Sequence, residues 1–260
     1  MVESRMSLEG RTALITGASR NIGRAIALAF AAEGADLVLN TRANVEELEA
    51  VAAECRKAGV RVVPVLADVA DAAACEAMVQ RGLAELGAID VLVCNAAIRP
   101  HRAVSETPVA EWDRVLAVDL SSAFYLARAV VPAMKERRRG SIIAIGGQSS
   151  VTSRPNTAAV TAAKTGLLGL VRALAAELGP FGIRANMVMP GFMDTERRYA
   201  EWYPEFSQSP PGSADELAKI PLRRLGRPEE IADACVFLAS DASAYVTGDT
   251  IRVMGGRLIG

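Results

Sequence analysis

The sequence predicts an α/β fold: a single doubly wound parallel sheet flanked by helices on both faces, with residues 1–260 forming one domain. Three observations point to it. Short apolar runs that read as strands alternate along the chain with longer amphipathic runs that read as helices. The first of these runs, TALIT, turns through a glycine-containing loop into a helix and then a second strand, a β-turn-helix-β unit. No internal repeat, low-complexity tract or linker breaks the 260 residues, a length that suits one α/β domain with ample core.

Composition narrows the function classes. A net charge of −1 gives no global reason to expect a nucleic acid or an anionic membrane as partner. The four cysteines are scattered, with no C-x-x-C pair, which suits reduced thiols in a cytoplasmic protein. With one histidine, no metal site is expected. The N-terminal MVESRMSLEGR lacks an apolar signal region, and no span approaches about twenty uncharged apolar residues, so neither a signal peptide nor a transmembrane helix is expected.

Taken in order, TGASRNIG follows the first strand and opens the first helix. Gly17 and Gly23 let the backbone approach a pyrophosphate, and the exposed N–H groups of the helix start, over Ser19, Arg20, Asn21 and Ile22, favour negative charge. The unit is therefore expected to bind a dinucleotide in a Rossmann-type fold, where a plain strand-to-helix turn would have no ligand. Asn21 stands at a position that suits a left-handed residue, which asparagine tolerates. The second strand, LVLNTR, ends at Thr41 and Arg42, without the carboxylate that accepts from the ribose hydroxyls of NAD. Together with Arg20, Arg42 suits a 2′-phosphate, so NADP(H) is expected; the bland alternative is two arginines on a solvated edge.

NVEELEAVAAECRKAG reads as an amphipathic helix, VRVVPVLADVAD as the third strand and its exit, and IDVLVCNAA as the fourth. His101 follows in the loop IRPHRA, either as a proton donor or acceptor or as a solvated loop residue. EWDRVLAVDLSSAFYLARAVVPAMKERRRG reads as one long helix whose basic end is expected to be solvated rather than a nucleic-acid patch. GSIIAIGG supplies the fifth strand and FGIRANMVMPG the sixth. Tyr199, Trp202, Tyr203 and Phe206 gather in a segment of approximately 192–222, expected to form a mobile substrate lid that favours an apolar or aromatic small molecule; the alternative is a patch packed against a neighbouring subunit.

The run AAKTGLLGLVRALAAELGPFGIRANMVMPG, the PGxxxT pattern and the C-terminal LRRLGRPEEIADACVFLASDASAYVTGDTIRVMGG resemble the short-chain dehydrogenase/reductase family, in particular its 3-oxoacyl-acyl-carrier-protein-reductase-like members, over essentially the whole chain. The resemblance implies that Asp68 and Val69 contact adenine, although Asp68 could instead cap the helix that follows. It implies that Asn95 and Ala96 lie beside the nicotinamide ribose, with Ala97 narrowing the space there, and that Pro190, Gly191 and Thr195 hold the carboxamide. It also implies a homodimer or homotetramer.

In that family a Tyr precedes the Lys by four residues, and positions i and i+4 share a helix face. Here the Lys is Lys164 and the Tyr position holds Val160. The Ser position falls on Gly147 and the Asn position on Asp119. Asp119 is expected either to attract Lys164 and hold it away from the ribose, or to be satisfied by water and backbone. Ser149, Ser150, Thr152 and Thr157 are hydroxyls available near Gly147. Tyr125 is expected to point elsewhere, roughly 240° around the axis from Asp119.

Three functions are weighed. The first is an atypical NADP(H)-dependent oxidoreductase whose acid comes from His101, Lys164 through water, a substrate group, or a lid residue such as Tyr199 or Tyr203. The second is an inactive nucleotide-binding regulator or oligomer subunit. The third is a lyase or isomerase with Lys164 as base, which the proximity of Asp119 argues against.

Overall fold

The computed structural model describes residues 5–196, 200–203 and 210–259; Tyr199 and Phe206 lie outside them. Seven parallel strands form one sheet in the order β3-β2-β1-β4-β5-β6-β7. They are β1 (Thr12–Ile15), β2 (Asp36–Thr41), β3 (Val62–Leu66), β4 (Val91–Cys94), β5 (Gly140–Ile145), β6 (Ile183–Pro190) and β7 (Thr250–Val253). The helices between them are α1 (Asn21–Ala32), α2 (Val45–Arg56), α3 (Ala72–Leu86), α4 (Val109–Leu116), α5 (Ser122–Arg137), α6 (Ala158–Leu178), α7 (Ala214–Ala218) and α8 (Pro228–Ala239).

Parallel pairing needs a crossover between strands, and the crossovers bury the sheet on both sides. Side chains alternate along β1: Leu14 joins the core under α3, α5 and α6, while Ala13 and Ile15 join the core under α1, α2 and α8. The chain runs outward to β3, then returns past β1 to start β4 on its other side. This reversal leaves a crevice beyond the carboxyl ends of β1 and β4, where ligands bind in such sheets.

Several sequence expectations are corrected at this level. The long helix is interrupted: a π turn over Ala117–Ser121 separates α4 from α5. The basic end of α5 is not simply solvated. Arg139 donates to the buried Asp90 at 2.8 Å, Arg137 lies 3.5 Å from the same carboxylate, and Arg138 donates to the Pro180 carbonyl. Two helical stretches, Val109–Arg137 and Ala158–Phe181, are long and apolar enough by length and composition alone to cross a membrane, a test that buried core helices also pass. Leu126 and Val130 of the first and Leu167 and Val171 of the second pack into the core of the sheet. All four cysteines are buried and unbridged, and burial pushes the Cys94 thiol up to about 12.

α8 begins at Pro228 behind an acid clasp: Glu230 accepts from Arg227 N–H at 2.7 Å and pairs with both terminal nitrogens of Arg224. The Arg224 guanidinium and that backbone donor hold the Glu230 carboxyl down at about 2. A depressed carboxyl stabilises the fold above its ordinary range and loses that contribution as pH falls toward its folded value. Glu230→Gln is expected to lower the melting temperature by about 2 °C at pH 7, a modest effect because the pair meets solvent. The difference from wild type should fade between pH 4.5 and 2, as followed by circular dichroism melts.

Candidate active site

The crevice is a cleft of about 570 Å³. At its floor the chain leaves β1 through Gly17, with φ +64°, and enters α1 at Asn21, with φ +49°. The left-handed asparagine is as the sequence anticipates. A Cβ on Gly23 would lie 2.1 Å from the Gly17 carbonyl oxygen, and one on Gly17 would lie 3.0 Å from the Ala96 Cα. These two glycines let strand, loop and helix meet closely enough for the α1 N–H groups to line the cleft.

Asn95 braces the loop from behind. Its amide donates to the carbonyls of Thr16 at 2.8 Å and Gly17 at 3.1 Å, while the Thr16 hydroxyl receives the N–H groups of Asn95 and Ala96. Asn21 does more than tolerate its conformation. Its side chain donates to the Glu196 carbonyl at 3.0 Å and accepts the Glu196 N–H at 3.1 Å, tying the glycine loop to the segment after β6. Sequence reasoning missed this bond, because it joins residues 175 positions apart.

At the nucleotide end, the Ser19 and Thr41 hydroxyls lie 3.3 Å apart, and Ile22, Arg20 and Arg42 line the wall. Arg42 makes no hydrogen bond or ion pair with the described residues. A buried terminal nitrogen of Arg20 has no hydrogen-bond acceptor among the described residues and lies 4.0 Å from the Glu196 carboxylate. A guanidinium nitrogen without a hydrogen-bond acceptor among the described residues, a second arginine and no carboxylate at the carboxyl end of β2 fit a ribose 2′-phosphate.

Val69 and Asp68 also line this end. Asp68 accepts from Ala70 N–H at 3.0 Å and from Arg114 at 2.8 Å. Burial pushes its carboxyl up, but the Ala70 N–H and Arg114 outweigh burial and hold it below its ordinary value. The capping alternative for Asp68 is corrected: Asp71 caps α3, accepting from Ala73 and Ala74 N–H.

The other half of the cleft lies over β4, β5 and β6. Pro190, Gly191 and Thr195 line it, with Gly191 N–H bound to the Val253 carbonyl at 2.9 Å. Val160 and Lys164 lie one turn apart on α6. Val160 is buried against Val115, Ala159 and Ala163. The Lys164 ammonium donates to the Ile145 carbonyl at 3.1 Å and lies 3.3 Å from the Asp119 carboxylate, an ion pair without hydrogen-bond alignment. The other oxygen of Asp119 accepts Ile98 N–H at 2.8 Å. Burial pushes the Asp119 carboxyl up, opposed in part by Lys164, the Ile98 N–H and Arg99. Asp119 therefore both attracts Lys164 and is bound by backbone, so the two expectations for it merge.

Gly147 is fully extended, and a Cβ there would meet open space. Of the four neighbouring hydroxyls, Ser149 alone lines the cleft. Thr152 donates to the Gln148 carbonyl and Thr157 to that of Arg154, while the buried Ser150 hydroxyl has no hydrogen-bond partner among the described residues. Tyr125 packs against the core and is not part of the cleft wall.

His101 corrects the solvated-loop reading. It is 9% exposed, lines the cleft, and its ring meets Tyr203 edge-on at 5.0 Å. Its backbone N–H donates to the Trp202 carbonyl at 2.9 Å, so two of the aromatic residues expected in the lid hold the histidine in place. Arg99, Arg114, Gln148 and Arg154 also line the cleft and escaped sequence reasoning, since none sits in a motif that marks it out, and Phe192, within the expected lid segment, lines it too.

The chain is similar to known proteins over almost its whole length. The family profile described as enoyl-(acyl carrier protein) reductase matches residues 17–257. The chain is 39% identical over 251 residues to the 3-oxoacyl-(acyl-carrier-protein) reductase FabG of Escherichia coli K12, covering 96% of this chain and 98% of that one. It is 36% identical over 254 residues to the FabG of Thermotoga maritima, covering 98% and 100%.

Among solved structures, one described as a short-chain alcohol dehydrogenase of Sinorhizobium meliloti 1021 superposes with a TM-score of 0.91 at 37% identity, covering 98% of each chain. One of Beutenbergia cavernae, described as an NAD(P)-dependent gluconate 5-dehydrogenase with bound NADP, gives 0.89 at 35% identity, covering 98% and 99%.

Gly23→Ala is expected to weaken dinucleotide binding by at least about 100-fold, because its methyl would displace the Gly17 carbonyl from the loop. Gly147→Ser should leave folding unchanged, since its side chain enters open space. Fluorescence titration and thermal melts read the two variants.

Proposed function

This chain belongs to the short-chain dehydrogenase/reductase family, and we propose that it is an NADP(H)-dependent oxidoreductase acting on a small carbonyl or alcohol substrate, with a proton donor other than the family's tyrosine. The observation that carries this reading is that one continuous cleft joins a shaped nucleotide cradle to Lys164 and His101. The Gly17–Gly23 loop and the α1 N–H groups hold the pyrophosphate, and Arg20 and Arg42 hold the 2′-phosphate. Asp68 and Val69 border the adenine; Asn95 and Ala96 support the ribose side; Pro190, Gly191 and Thr195 hold the carboxamide end. The bound nucleotide supplies or accepts hydride. The remaining residues position the substrate, exclude water and move the proton.

Val160 offers no proton and Gly147 no hydroxyl. A general acid contributes about 10²–10⁴ in rate, equivalent to about 3 to 5 kcal/mol. His101 is the replacement donor this reading favours: it is buried, lines the substrate half and is held by Trp202 and Tyr203. Lys164 is engaged by Asp119 and the Ile145 carbonyl, which limits its freedom to shuttle a proton. Residues of approximately 192–222 act as the lid, and the protein works as a cytoplasmic homodimer or homotetramer.

A second reading, a nucleotide-responsive binder or an inactive subunit of an oligomer, draws support from the same Asp119–Lys164 pair and the apolar packing of Val160. The lyase or isomerase reading is weaker, because Asp119 favours a charged Lys164.

Fluorescence titration with NADPH and NADH, followed by a panel of ketones, aldehydes and enones, tests the proposal. NADPH should bind at least about tenfold more tightly than NADH, with the preference lost in Arg20→Ala/Arg42→Ala. The wild type should turn over at least one substrate, and His101→Ala should lower kcat by about 10²-fold or more with NADPH binding unchanged. Tight NADPH binding with no wild-type turnover, together with activity in Val160→Tyr/Gly147→Ser, would instead establish the non-catalytic reading.

A further inference from the structure

The charges along the cleft divide into satisfied and unsatisfied sets. Its two lining carboxylates are already engaged: Asp68 by Arg114, and Glu111 by Arg102 at 3.0 Å. Lys164 is matched by Asp119. Arg20 and Arg42 belong to the nucleotide end. Two lining guanidiniums are left, Arg99 and Arg154. Neither makes an ion pair, nor a side-chain hydrogen bond, with the described residues.

Both stand at the substrate half. Arg99 follows β4 and Arg154 lies in the loop after β5, two neighbouring strands, and a backbone hydrogen bond from Arg102 N–H to the Asn156 carbonyl at 2.8 Å joins the two loops. The loop of Arg154 is fixed by Thr157, whose hydroxyl donates to the Arg154 carbonyl at 2.7 Å. The Arg154 guanidinium lies 5.7 Å from the ring centroid of Phe192, a buried residue of the cleft wall. Arg99 is close enough to Asp119 for its charge to hold that carboxyl down in part. Phe192, Trp202 and Tyr203 give the same half of the cleft an apolar surface.

We propose that Arg99 and Arg154 receive an oxyanion of the substrate, which is therefore an acid whose carbon skeleton rests on Phe192, Trp202 and Tyr203. The inference deepens the oxidoreductase reading and rests on it for the word substrate. The oxyanion is a carboxylate or a phosphate monoester, both of which a guanidinium recognises by paired hydrogen bonds. It explains how a cleft with an aromatic wall comes to carry two unmatched cations. It also narrows the sequence expectation of an apolar or aromatic ligand to one with a charged end.

The test measures binding by calorimetry in the presence of saturating NADP⁺, with benzoylformate and phenyl phosphate as probes and methyl benzoylformate as the neutral counterpart. At least one acid should bind at least tenfold more tightly than the ester, and the better of the two identifies the oxyanion. Arg99→Gln/Arg154→Gln should erase the preference while NADP⁺ affinity stays within twofold. An ester that binds as well as the acids, acids that bind the double variant as they bind wild type, or no binding by either acid would overturn the proposal. The titration needs no turnover, so it distinguishes acid from ester even in a protein that is catalytically inactive. If the wild type failed to bind NADP⁺, the oxidoreductase reading would fall, and the acid-over-ester comparison without nucleotide would still decide this one.

Discussion

The close approach of Gly23 to the Gly17 carbonyl is the constraint on which the rest of the molecule depends. It brings the start of α1 down onto the end of β1, and thereby aims the first N–H groups of that helix at the crevice opened by the reversal of strand order. Asn95 reaches from β4 to fix the same loop, so the two strands flanking the reversal are joined at the point where they diverge. The short apolar strands build the sheet, but this small contact turns the carboxyl ends of its central strands into a binding surface.

What could be read from the sequence was whatever is local. Short apolar runs and helical patterns gave the sheet and its covering helices, and the glycine loop gave the nucleotide end. The lack of a carboxylate after β2 gave the choice between nucleotides. What could not be read depends on partners distant in the chain. His101 looks like an ordinary loop residue until Trp202 and Tyr203 close over it. The basic end of α5 looks like a solvated terminus until Asp90 is found buried beside it. Asp68 and Asp71 are three residues apart, and only the backbone path shows which one caps α3.

At the Lys164 end of the cleft the residues are arranged as a set. Val160 belongs to an apolar cluster with Val115 and Ala163, so its side chain has become part of the wall. Asp119 and Lys164 satisfy one another in a buried place where either charge alone would be costly. Changing one residue would leave the others arranged for each other. This half of the cleft is therefore better understood from the whole constellation, including His101 and the unmatched arginines, than from any one residue.

The π turn between α4 and α5 carries a consequence for how this chain can change. One extra residue in a helix rotates everything beyond it by about 100°. One rod can thus turn Val115 toward α6 on one side of the turn and Leu126 and Val130 toward the sheet on the other. That division of labour resides in the number of residues rather than in their identities. Substitution can adjust either half separately, whereas deletion of a single residue from this stretch would swing every side chain of α5 away from the surface it covers.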